Sequence, residues 1–384
     1  MKNLGFSRRS FFTASAALSS GALLGSRVVM ANADNYAVNP LYGPSVGVAK
    51  LNANENPYGP SPAALKAMAE ASRSGAYYVS ESSKKLRDMI AERHGLTREH
   101  VMLSSGSSGV LTFLAMAATR QGNILGPDLF WDTTSRMGVR NSDNGIERLP
   151  KRADLAIDLE AMKNALSDDI SLVHVTNPNN PTGSALETAA LKDFCVKASA
   201  KTLVLVDEAY NELTDNPEQT TMIPLVKEGR DVAVARTFSK IFGLAGMRVG
   251  YLIAKPELLE MIGQFGLGDY GMNQPGVAGA IASYNDEAFL AYSKAKIVEG
   301  REIVAAAVKE NGLSALPSQT NFMFVDLGKL DAERFRAEME KRNVLIRGIY
   351  RDYTNWSRVS MGKIEDVEMY AKAMPHALEA IAKS

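Results

Sequence analysis

The feature that most constrains the fold is a series of short, continuously apolar runs in the middle of the chain. They cover residues 101–104, 123–126, 171–175, 201–206, 231–235 and 248–254. Runs of this length without polar alternation are typical of strands that are buried on both faces. Amphipathic helical stretches, such as 111–120 and 187–200, lie between several of them. We therefore predict an α/β domain whose mainly parallel sheet is flanked by helices, with functional loops at the carboxyl ends of its strands.

The N-terminus of the chain resembles an export signal. Arg8 and Arg9 precede an uncharged run at 11–24, and small residues at 31–33 supply a cleavage site. The surrounding sequence Ser-Arg-Arg-Ser-Phe-Phe resembles the twin-arginine motif, which is a receptor-read address. We expect export by the twin-arginine machinery, a periplasmic location and cleavage after about Ala33; the alternative is a disordered basic tail. The apolar run is too short and too rich in Ser and Gly for stable membrane insertion.

The last third of the chain follows a different pattern. A helical stretch at 275–311 ends at Gly312, strand candidates follow at 320–327 and 344–347, and a last helix is predicted at about 364–382. This pattern predicts a second, smaller α+β domain, and the chain also exceeds the roughly 250–300 residues at which a single core stops growing. The predicted divisions are the signal at 1–33, an N-terminal arm at 34–62, a large domain at 63–274 and a small domain at 275–384.

Composition argues against several classes of function. Lys plus Arg number 43 and Asp plus Glu also number 43, so no net charge attracts the chain to nucleic acid or to a membrane surface. The four histidines lack the spacing of metal ligands, and no metal is expected. The single cysteine, Cys195, has no partner for an internal disulfide.

Lys240 is the strongest candidate for a nucleophile. It follows the buried run at 231–235 and lies between hydroxyl residues and glycines, with a second cation, Arg248, eight positions further on. Burial and a neighbouring cation ease the deprotonation of a lysine, and the free amine can form a Schiff base with a carbonyl. A lone loop lysine would instead be solvated, so the prediction depends on the polar residues that accompany it.

Polar residues also follow three other strand candidates, and they would meet Lys240 at one edge of the sheet. Asp207 ends one apolar run, and Asn180 lies in a turn rich in Asn and Pro after another. A buried carboxylate is costly unless a cation meets it. The Ser- and Gly-rich loop at 104–109 leads from a strand into a helix, which predicts an anion site for phosphate at the helix N-terminus.

Together these motifs resemble one enzyme family. The order of S-G-S-S-G, N-P-N-N-P-T-G, D-E-A-Y and T-F-S-K, with Arg248 after the lysine, is similar to that in the pyridoxal-phosphate-dependent aminotransferases of fold type I, class I/II. Within them, L-N-A-N-E-N-P-Y-G-P at 51–60 and T-N-F at 320–322 resemble the histidinol-phosphate aminotransferases. The resemblance extends from about residue 40 to the end, and it implies a seven-stranded sheet in the large domain.

The resemblance implies a role for each matching residue. Lys240 would hold the aldehyde of pyridoxal 5'-phosphate as an internal imine and move a proton as base and acid, and Asp207 would pair with the pyridine nitrogen. The other implied cofactor contacts are Ser107, Ser108, Asn180, Tyr210, Thr237, Ser239, Arg248, and Phe130 or Trp131 as the ring that stacks on the cofactor. Two positions depart from the family pattern: direct counting for the stacking residue arrives at Leu129, and Gly109 replaces a common acidic residue.

The resemblance also implies substrates and a partner subunit. Arg358 matches the arginine that binds the substrate carboxylate, and Asn56 in the N-terminal motif is a second substrate-binding candidate. Arg347 is a candidate for binding a distal acidic group, with an exposed strand-end arginine as an equal alternative. Tyr78 corresponds to a tyrosine that reaches the phosphate in the neighbouring subunit, which implies a homodimer.

We therefore expect an exported aminotransferase that moves an amino group between an amino acid and a 2-oxo acid or other carbonyl. Another reaction of the same cofactor, such as decarboxylation, elimination or racemisation, is the first alternative, because the fold supports all of them. A protein that binds the cofactor without turnover is the second alternative. The intact set of Lys240, Asp207 and Arg358 argues against it.

Overall fold

A seven-stranded sheet forms the centre of the fold. The computed structural model describes residues 41–140 and 142–383, so the predicted export signal lies outside the described residues. In chain order the strands are β1 (Ala49–Leu51), β2 (Val101–Ser104), β3 (Asn123–Gly126), β4 (Ile146–Arg148), β5 (Ile170–Thr176), β6 (Leu203–Asp207), β7 (Val232–Thr237), β8 (Gly250–Ile253), β9 (Ser314–Ala315), β10 (Phe322–Asp326), β11 (Val344–Ile346) and β12 (Trp356–Ser360). The central sheet has the spatial order β2-β8-β7-β6-β5-β3-β4.

The pairing in this sheet confirms the predicted fold class. Neighbouring strands are parallel except at β8, which runs antiparallel to both β2 and β7. Each of the six apolar runs corresponds to one strand. The edge strand β4 was not predicted, because it has only three residues and its central Glu147 is exposed.

Helices cover both faces of the sheet. They are α1 (Pro62–Ser72), α2 (Glu81–His94), α3 (Ser107–Ala118), α4 (Thr133–Val139), α5 (Leu159–Asn164), α6 (Thr188–Ala198), α7 (Pro217–Thr220), α8 (Ile223–Lys227), α9 (Pro256–Gly263), α10 (Gln274–Tyr284), α11 (Glu287–Glu310), α12 (Ala332–Glu340) and α13 (Ile364–Ala382). Alternate strand residues join different apolar clusters: Leu205 and Ala233 pack with α3 and α9, whereas Val204 and Val206 pack on the other side. This is why the runs lack polar alternation.

The N-terminus of α3 lies four residues before the predicted one. The helix begins at Ser107, because the hydroxyl of Ser104 accepts a hydrogen bond from the Val110 amide at 3.1 Å and donates one to the Gly106 carbonyl at 2.6 Å. A side chain in place of Gly109 would collide with Ser104. Gly109, where the sequence departs from the family pattern, therefore leaves room for the Ser104 side chain and its two hydrogen bonds.

The C-terminal part of the chain forms two smaller sheets. Strand β1 pairs in parallel with β11, and β12, β10 and β9 form an antiparallel sheet. The predicted strands at 320–327 and 344–347 correspond to β10 and β11, and the predicted last helix is α13. The helical stretch at 275–311 is two helices, because Asp286 caps α11 by accepting a hydrogen bond from the Phe289 amide at 3.1 Å.

Strand β12 was not predicted. Its sequence W-S-R-V-S contains three polar residues, yet Ser357, Arg358 and Ser360 are all buried. The predicted boundaries of the arm and of the two domains stay predictions. Within the described residues, no helix has both the length and the apolar character needed to cross a membrane.

Candidate active site

A cleft of about 540 Å³ lies at the carboxyl ends of β5, β6 and β7. Its walls come from distant parts of the chain: the loop after β1, the start of α3, the loop between β3 and α4, and the segment after β11. The lining includes Ser107, Ser108, Phe130, Trp131, Asn180, Asp207, Tyr210, Thr237, Ser239, Lys240, Arg248, Arg347 and Arg358. The structure therefore brings together all the predicted site residues except Tyr78 and Asn56.

Asp207 and Lys240 reach the cleft from neighbouring strands. Asp207 is 3% exposed, and burial raises the pKa of its carboxyl to about 7, although the Ala209 amide at 3.2 Å and the Lys240 cation act in the opposite direction. Burial and the Arg358 cation lower the pKa of Lys240 to about 8, and its Nζ donates to the Asn54 carbonyl at 3.0 Å. Both groups can therefore exchange protons close to neutral pH, which is typical of residues at functional sites.

A chain of buried hydrogen bonds crosses the cleft. Arg358 Nη1 donates to Asn180 Oδ1 at 3.0 Å, and the Asn180 and Asn54 amides donate to the Tyr210 hydroxyl at 3.5 and 2.8 Å. Ser360 Oγ donates to Asn54 Oδ1 at 2.6 Å and so holds that amide in place. Burial raises the pKa of Tyr210 to about 12, so the phenol stays protonated. Its oxygen accepts both amide bonds, which leaves its own proton available for a ligand.

The start of α3 and Arg248 form an anion site. Ser107 and Ser108 lie in the first turn of this twelve-residue helix, where the backbone N–H groups have no helical acceptor. Arg248 donates to the Ala245 carbonyl at 3.0 Å and to the Ser105 carbonyl at 3.4 Å. Gly106 has a φ of +70°, and a Cβ at this position would collide with the Arg248 guanidinium. The glycine thus lets the cation approach the helix terminus.

Two hydroxyl groups extend this anion site. The Thr237 hydroxyl accepts a hydrogen bond from the Ser239 amide at 3.1 Å and donates one to the Ser239 hydroxyl at 2.9 Å. Arg248 Nη1 lies 3.5 Å from the same Ser239 hydroxyl. The strand end of β7 therefore delivers two donors beside the cation, immediately before Lys240.

An aromatic segment forms another wall. Leu129, Phe130 and Trp131 all line the cleft. Phe130 is 5% exposed, and its ring meets that of His174 edge-on with centroids 5.0 Å apart. Trp131 is only partly buried. Both predicted stacking candidates are therefore present at the cleft, together with the leucine reached by direct counting.

Arg358 is a buried cation without a carboxylate partner among the described residues. It is 5% exposed, its Nη2 donates to the Asn52 carbonyl at 3.3 Å, and its Nε has no hydrogen-bond acceptor. Burial lowers its pKa from the ordinary arginine value. Because an uncompensated buried charge is costly, this guanidinium is prepared for an anionic ligand.

Comparison with known proteins identifies the family. The family model described as aminotransferase class I and II matches residues 46–374. The chain belongs to this family. Its membership confirms the predicted enzyme class and the predicted cofactor, pyridoxal 5'-phosphate.

Individual relatives agree with this assignment. The aminotransferase is 32% identical over 337 residues to a histidinol-phosphate aminotransferase of Moorella thermoacetica, with 86% of each chain covered. It is also 32% identical over 330 residues to an aromatic amino acid aminotransferase of Thermobifida fusca, covering 85% of this chain and 90% of the relative. The solved structure of histidinol-phosphate aminotransferase from Sinorhizobium meliloti in complex with pyridoxal-5'-phosphate has a TM-score of 0.80 at 28% identity, covering 87% and 91% of the two chains.

Asn56 of the aminotransferase is not among the residues that line the cleft. Its side chain is 4% exposed and donates to the Ile241 carbonyl at 2.7 Å and to the Ser293 hydroxyl at 3.0 Å. Its Oδ1 accepts the Tyr58 amide at 3.1 Å. Asn56 therefore holds the loop next to Lys240, and its predicted contact with a substrate stays a prediction.

Tyr78 lies outside the cleft of its own chain. It is 76% exposed, and its ring packs edge-on against Tyr270 with centroids 5.2 Å apart. This placement excludes a role in its own site. Its predicted contact with a neighbouring subunit stays a prediction.

Sequence reasoning missed several residues that line the cleft, among them Asn54, Arg136 and Tyr350. Asn54 belongs to the quoted N-terminal motif, so a signal was present, but Asn54 and Asn56 are equivalent in that pattern. Arg136 lies on the short helix α4, and Tyr350 lies in an irregular segment after β11. Neither position has a periodic or motif signal that could have found it.

Proposed function

We propose that this aminotransferase binds pyridoxal 5'-phosphate covalently through Lys240 and moves an amino group between an amino acid and a 2-oxo acid. The observation that carries the proposal is the meeting of Lys240, Asp207, Arg358 and the start of α3 in one cleft. When bound, the cofactor supplies an electron sink for breaking a bond at the substrate α-carbon. The surrounding residues determine which bond is broken and where the proton goes.

Lys240 has two tasks in this proposal. A pKa of about 8 leaves a fraction of its amine unprotonated near neutral pH, so the amine can attack a carbonyl carbon. With a substrate bound, the same amine would accept a proton from the substrate α-carbon and return it as a general acid. A lysine held at its ordinary pKa would be protonated too strongly for the first task.

The residues fit the cofactor at both ends. The Asp207 carboxyl has a raised pKa because burial leaves its charge poorly compensated, and a protonated pyridine nitrogen against it would supply the missing cation. The start of α3, Arg248 and the hydroxyls of Thr237 and Ser239 suit a phosphate dianion. The Tyr210 hydroxyl, whose oxygen accepts from Asn54 and Asn180, would donate its proton to an oxygen of the bound cofactor.

Arg358 binds the substrate carboxylate in this proposal. Its guanidinium is fixed by Asn180 and by the Asn52 carbonyl, and its Nε is available. A carboxylate held by a rigid guanidinium fixes the orientation of the α-carbon, and this selects the C–H bond for cleavage over the alternatives.

A spectroscopic experiment tests the function. The purified protein, loaded with pyridoxal 5'-phosphate, should lose its visible absorbance when an amino donor such as glutamate is added, and 2-oxoglutarate should restore it. Mass spectrometry should find the donor converted to its 2-oxo acid without loss of carbon dioxide. An unchanged spectrum across a broad set of donors, or a decarboxylated product, would contradict the proposal.

A substitution of Lys240 tests the covalent attachment of the cofactor. Lys240→Ala should abolish turnover and the covalent cofactor that borohydride reduction fixes to the protein, whereas Lys201→Ala should change neither, because Lys201 is exposed and does not line the cleft. Covalently fixed cofactor in Lys240→Ala, found by mass spectrometry, would show that another residue holds the cofactor.

We also propose that the active unit is a homodimer. Two short segments of the chain expose large side chains. Tyr77 and Tyr78 are 75% and 76% exposed, and Leu267 and Tyr270 are 75% and 72% exposed. Exposed apolar groups of this size support an interaction surface. The ring contact between Tyr78 and Tyr270 joins the two pairs.

Export by the twin-arginine route is the last part of the proposal. It is supported by the sequence around Arg8 and Arg9 and by the small residues before about Ala33. Replacing both arginines with lysine should strand active, cofactor-loaded enzyme in the cytoplasm. Full export of the doubly substituted protein would contradict the proposed twin-arginine route and would leave the proposed enzymatic function unaffected.

A further inference from the structure

Thr176 lies at the end of β5, and the proposed function gives its hydroxyl no task. The residue is 1% exposed, and its Oγ1 is buried without a hydrogen-bond partner among the described residues. Thr176 is nevertheless one of the residues that line the cleft. Nearly all buried hydroxyl groups have a partner, because an unpaired one loses the hydrogen bonds that it would make with water. An unpaired hydroxyl at the cleft therefore needs an explanation.

The pairing of β5 with β6 places Thr176 beside Asp207. The two residues are register partners in the parallel ladder, and neighbouring strands lie roughly 4.8 Å apart. On the other flank of Asp207, the register partner is Ala235 on β7. Of these two cross-strand neighbours, only Thr176 carries a polar side chain.

The apolar residues of the same strands show that both side chains point to one face of the sheet. Leu172 lies four positions before Thr176 on β5, and it packs in the apolar cluster that includes α3. Leu205 lies two positions before Asp207 on β6, and it packs in the same cluster. Because side chains alternate between the faces of a strand, Thr176 and Asp207 both point to the side of α3. They are therefore adjacent to each other at the cleft.

The Asp207 carboxylate has room for a further donor. Its only hydrogen bond within the described residues comes from the Ala209 amide, at 3.2 Å to Oδ1. Burial raises the pKa of this carboxyl most strongly; the Ala209 amide and the Lys240 cation lower it, and Glu208 raises it. An ionised carboxylate can accept about four hydrogen bonds. A donor beside it would thus favour its charged form.

The other polar residue on this face of β5, His174, supplies no charge. It is 1% exposed, and its Nδ1 lies 2.9 Å from the Ser135 hydroxyl. Burial, together with the Arg148 cation, lowers the pKa of His174 to about 3, so the ring is neutral. On this strand, the hydroxyl of Thr176 is therefore the group that is placed to stabilise an ionised Asp207.

We propose that Thr176 is a positioning residue for the cofactor: its hydroxyl donates a hydrogen bond to the Asp207 carboxylate when a cationic ring nitrogen is bound there. The inference rests on the proposed function, because it adds a residue to the proposed contact of Asp207 with the pyridine nitrogen. A cation at Asp207 favours the ionised carboxyl, which can only accept hydrogen bonds. A change between staggered χ1 angles redirects the hydroxyl without backbone movement.

A binding measurement on the cofactor-free protein tests the proposal. Calorimetry at pH 6 uses pyridoxamine 5'-phosphate, which has the ring nitrogen but no aldehyde for Lys240. At this pH the free Asp207 carboxyl is mostly protonated, because its pKa is about 7. Thr176→Val keeps the branched shape and should lower the affinity about tenfold, the effect of one hydrogen bond to a charged group. Thr176→Ser keeps the hydroxyl and should bind like the wild type.

An analogue of the ligand separates this contact from general packing. In 1-deaza-pyridoxamine 5'-phosphate, carbon replaces the ring nitrogen, so Asp207 meets no cation and keeps its proton. The wild type and Thr176→Val should bind this analogue equally well. In the Asp207→Asn background, Thr176→Val should lower the affinity for the parent ligand by much less than tenfold, because the amide carries no charge.

Thr134→Val is the matched control. Thr134 is 3% exposed, and its hydroxyl also has no partner among the described residues, but it does not line the cleft. This substitution should leave the affinity for both ligands unchanged. Thr176→Ala, which also lacks the hydroxyl, replaces Thr176→Val if that variant does not fold.

Two outcomes would overturn the inference. One is equal affinity of the wild type and Thr176→Val for pyridoxamine 5'-phosphate. The other is an equal loss of affinity for this ligand and for its deaza analogue, which would assign Thr176 a packing role only. Neither outcome involves turnover, so both leave the proposed function standing. The proposed function itself fails if no amino donor changes the spectrum of the loaded wild-type enzyme.

Discussion

Burial shifts the pKa values of Asp207 and Lys240 toward each other, and this burial lowers the stability of the protein without its ligands. Asp207 has its carboxyl pKa raised to about 7, and Lys240 has its amine pKa lowered to about 8. Arg358 is also buried without a carboxylate. Each of these groups is poorly compensated until a ligand of complementary charge arrives, so cofactor and substrate should stabilise the fold as they bind.

The pH dependence of stability should report the state of Asp207. In the unfolded chain its carboxyl loses a proton near 3.8, whereas the folded cofactor-free protein keeps that proton up to about 7. The resulting stability is complete below the unfolded pKa and is lost as the pH rises through the folded one. Three pKa units correspond to at most roughly 4 kcal/mol of unfolding free energy. Urea unfolding at pH 5 and pH 7.5 measures the part of this loss that falls between those two pH values.

Asp207→Asn isolates this contribution. The variant should flatten the decline in unfolding free energy of the cofactor-free protein, and it should weaken the binding of pyridoxal 5'-phosphate, because the ring nitrogen loses its carboxylate. The exposed Asp168→Asn is the control. An unchanged pH slope in Asp207→Asn would mean that the carboxyl is ionised in the folded protein well below neutral pH.

At the scale of elements, the anion site depends on close packing between β8 and α3. Gly250 begins β8, and a Cβ there would collide with the Ser107 amide and with the Gly106 carbonyl carbon. The same terminus receives Arg248, whose φ of +54° turns the chain just before β8. The antiparallel direction of β8 therefore brings a cation and a glycine to the start of one helix.

Gly250→Ala should displace the start of α3. We expect a loss of roughly 1–3 kcal/mol of unfolding free energy, as for other overpacked sites, and a weaker affinity for pyridoxal 5'-phosphate. Fluorescence titration of the cofactor-free protein measures the second effect. Gly246→Ala is the control, because a Cβ there meets no atom within 4 Å. Equal cofactor affinity in Gly250→Ala and the wild type would contradict a phosphate site at this terminus.

At the scale of the whole molecule, the exposed position of Tyr78 makes a site shared between subunits testable. Tyr78→Ala and Lys240→Ala should each be inactive or nearly so as homodimers. A mixed dimer would contain one site with an intact Lys240 from one chain and an intact Tyr78 from the other. Co-expression of differently tagged chains should therefore restore activity to about half that of the wild-type dimer. Failure to recover activity in purified mixed dimers would place Tyr78 outside the partner's site.

The sequence predicted the central sheet well for a physical reason. Strands covered by helices on both faces need continuous apolar runs, and these appear directly in the sequence. Strand β12 was not predicted because its buried Arg358 and Ser360 form hydrogen bonds with Asn180 and Asn54 in distant parts of the chain, and such bonds leave no apolar pattern. The break between α10 and α11 was not predicted because it depends on a single residue, Asp286, which caps α11.

The sequence by itself determined the fold class and the residues with the central chemistry. Lys240, Asp207 and Asn180 each follow a buried run, and residues at the carboxyl ends of neighbouring parallel strands must meet at one edge of the sheet. Only the tertiary structure decided that Asn54 faces the cleft while Asn56 holds a loop, and that Arg136 lines the same cleft as Arg347. Those outcomes depend on side-chain direction in irregular segments and on contacts between distant parts of the chain, which no local pattern records.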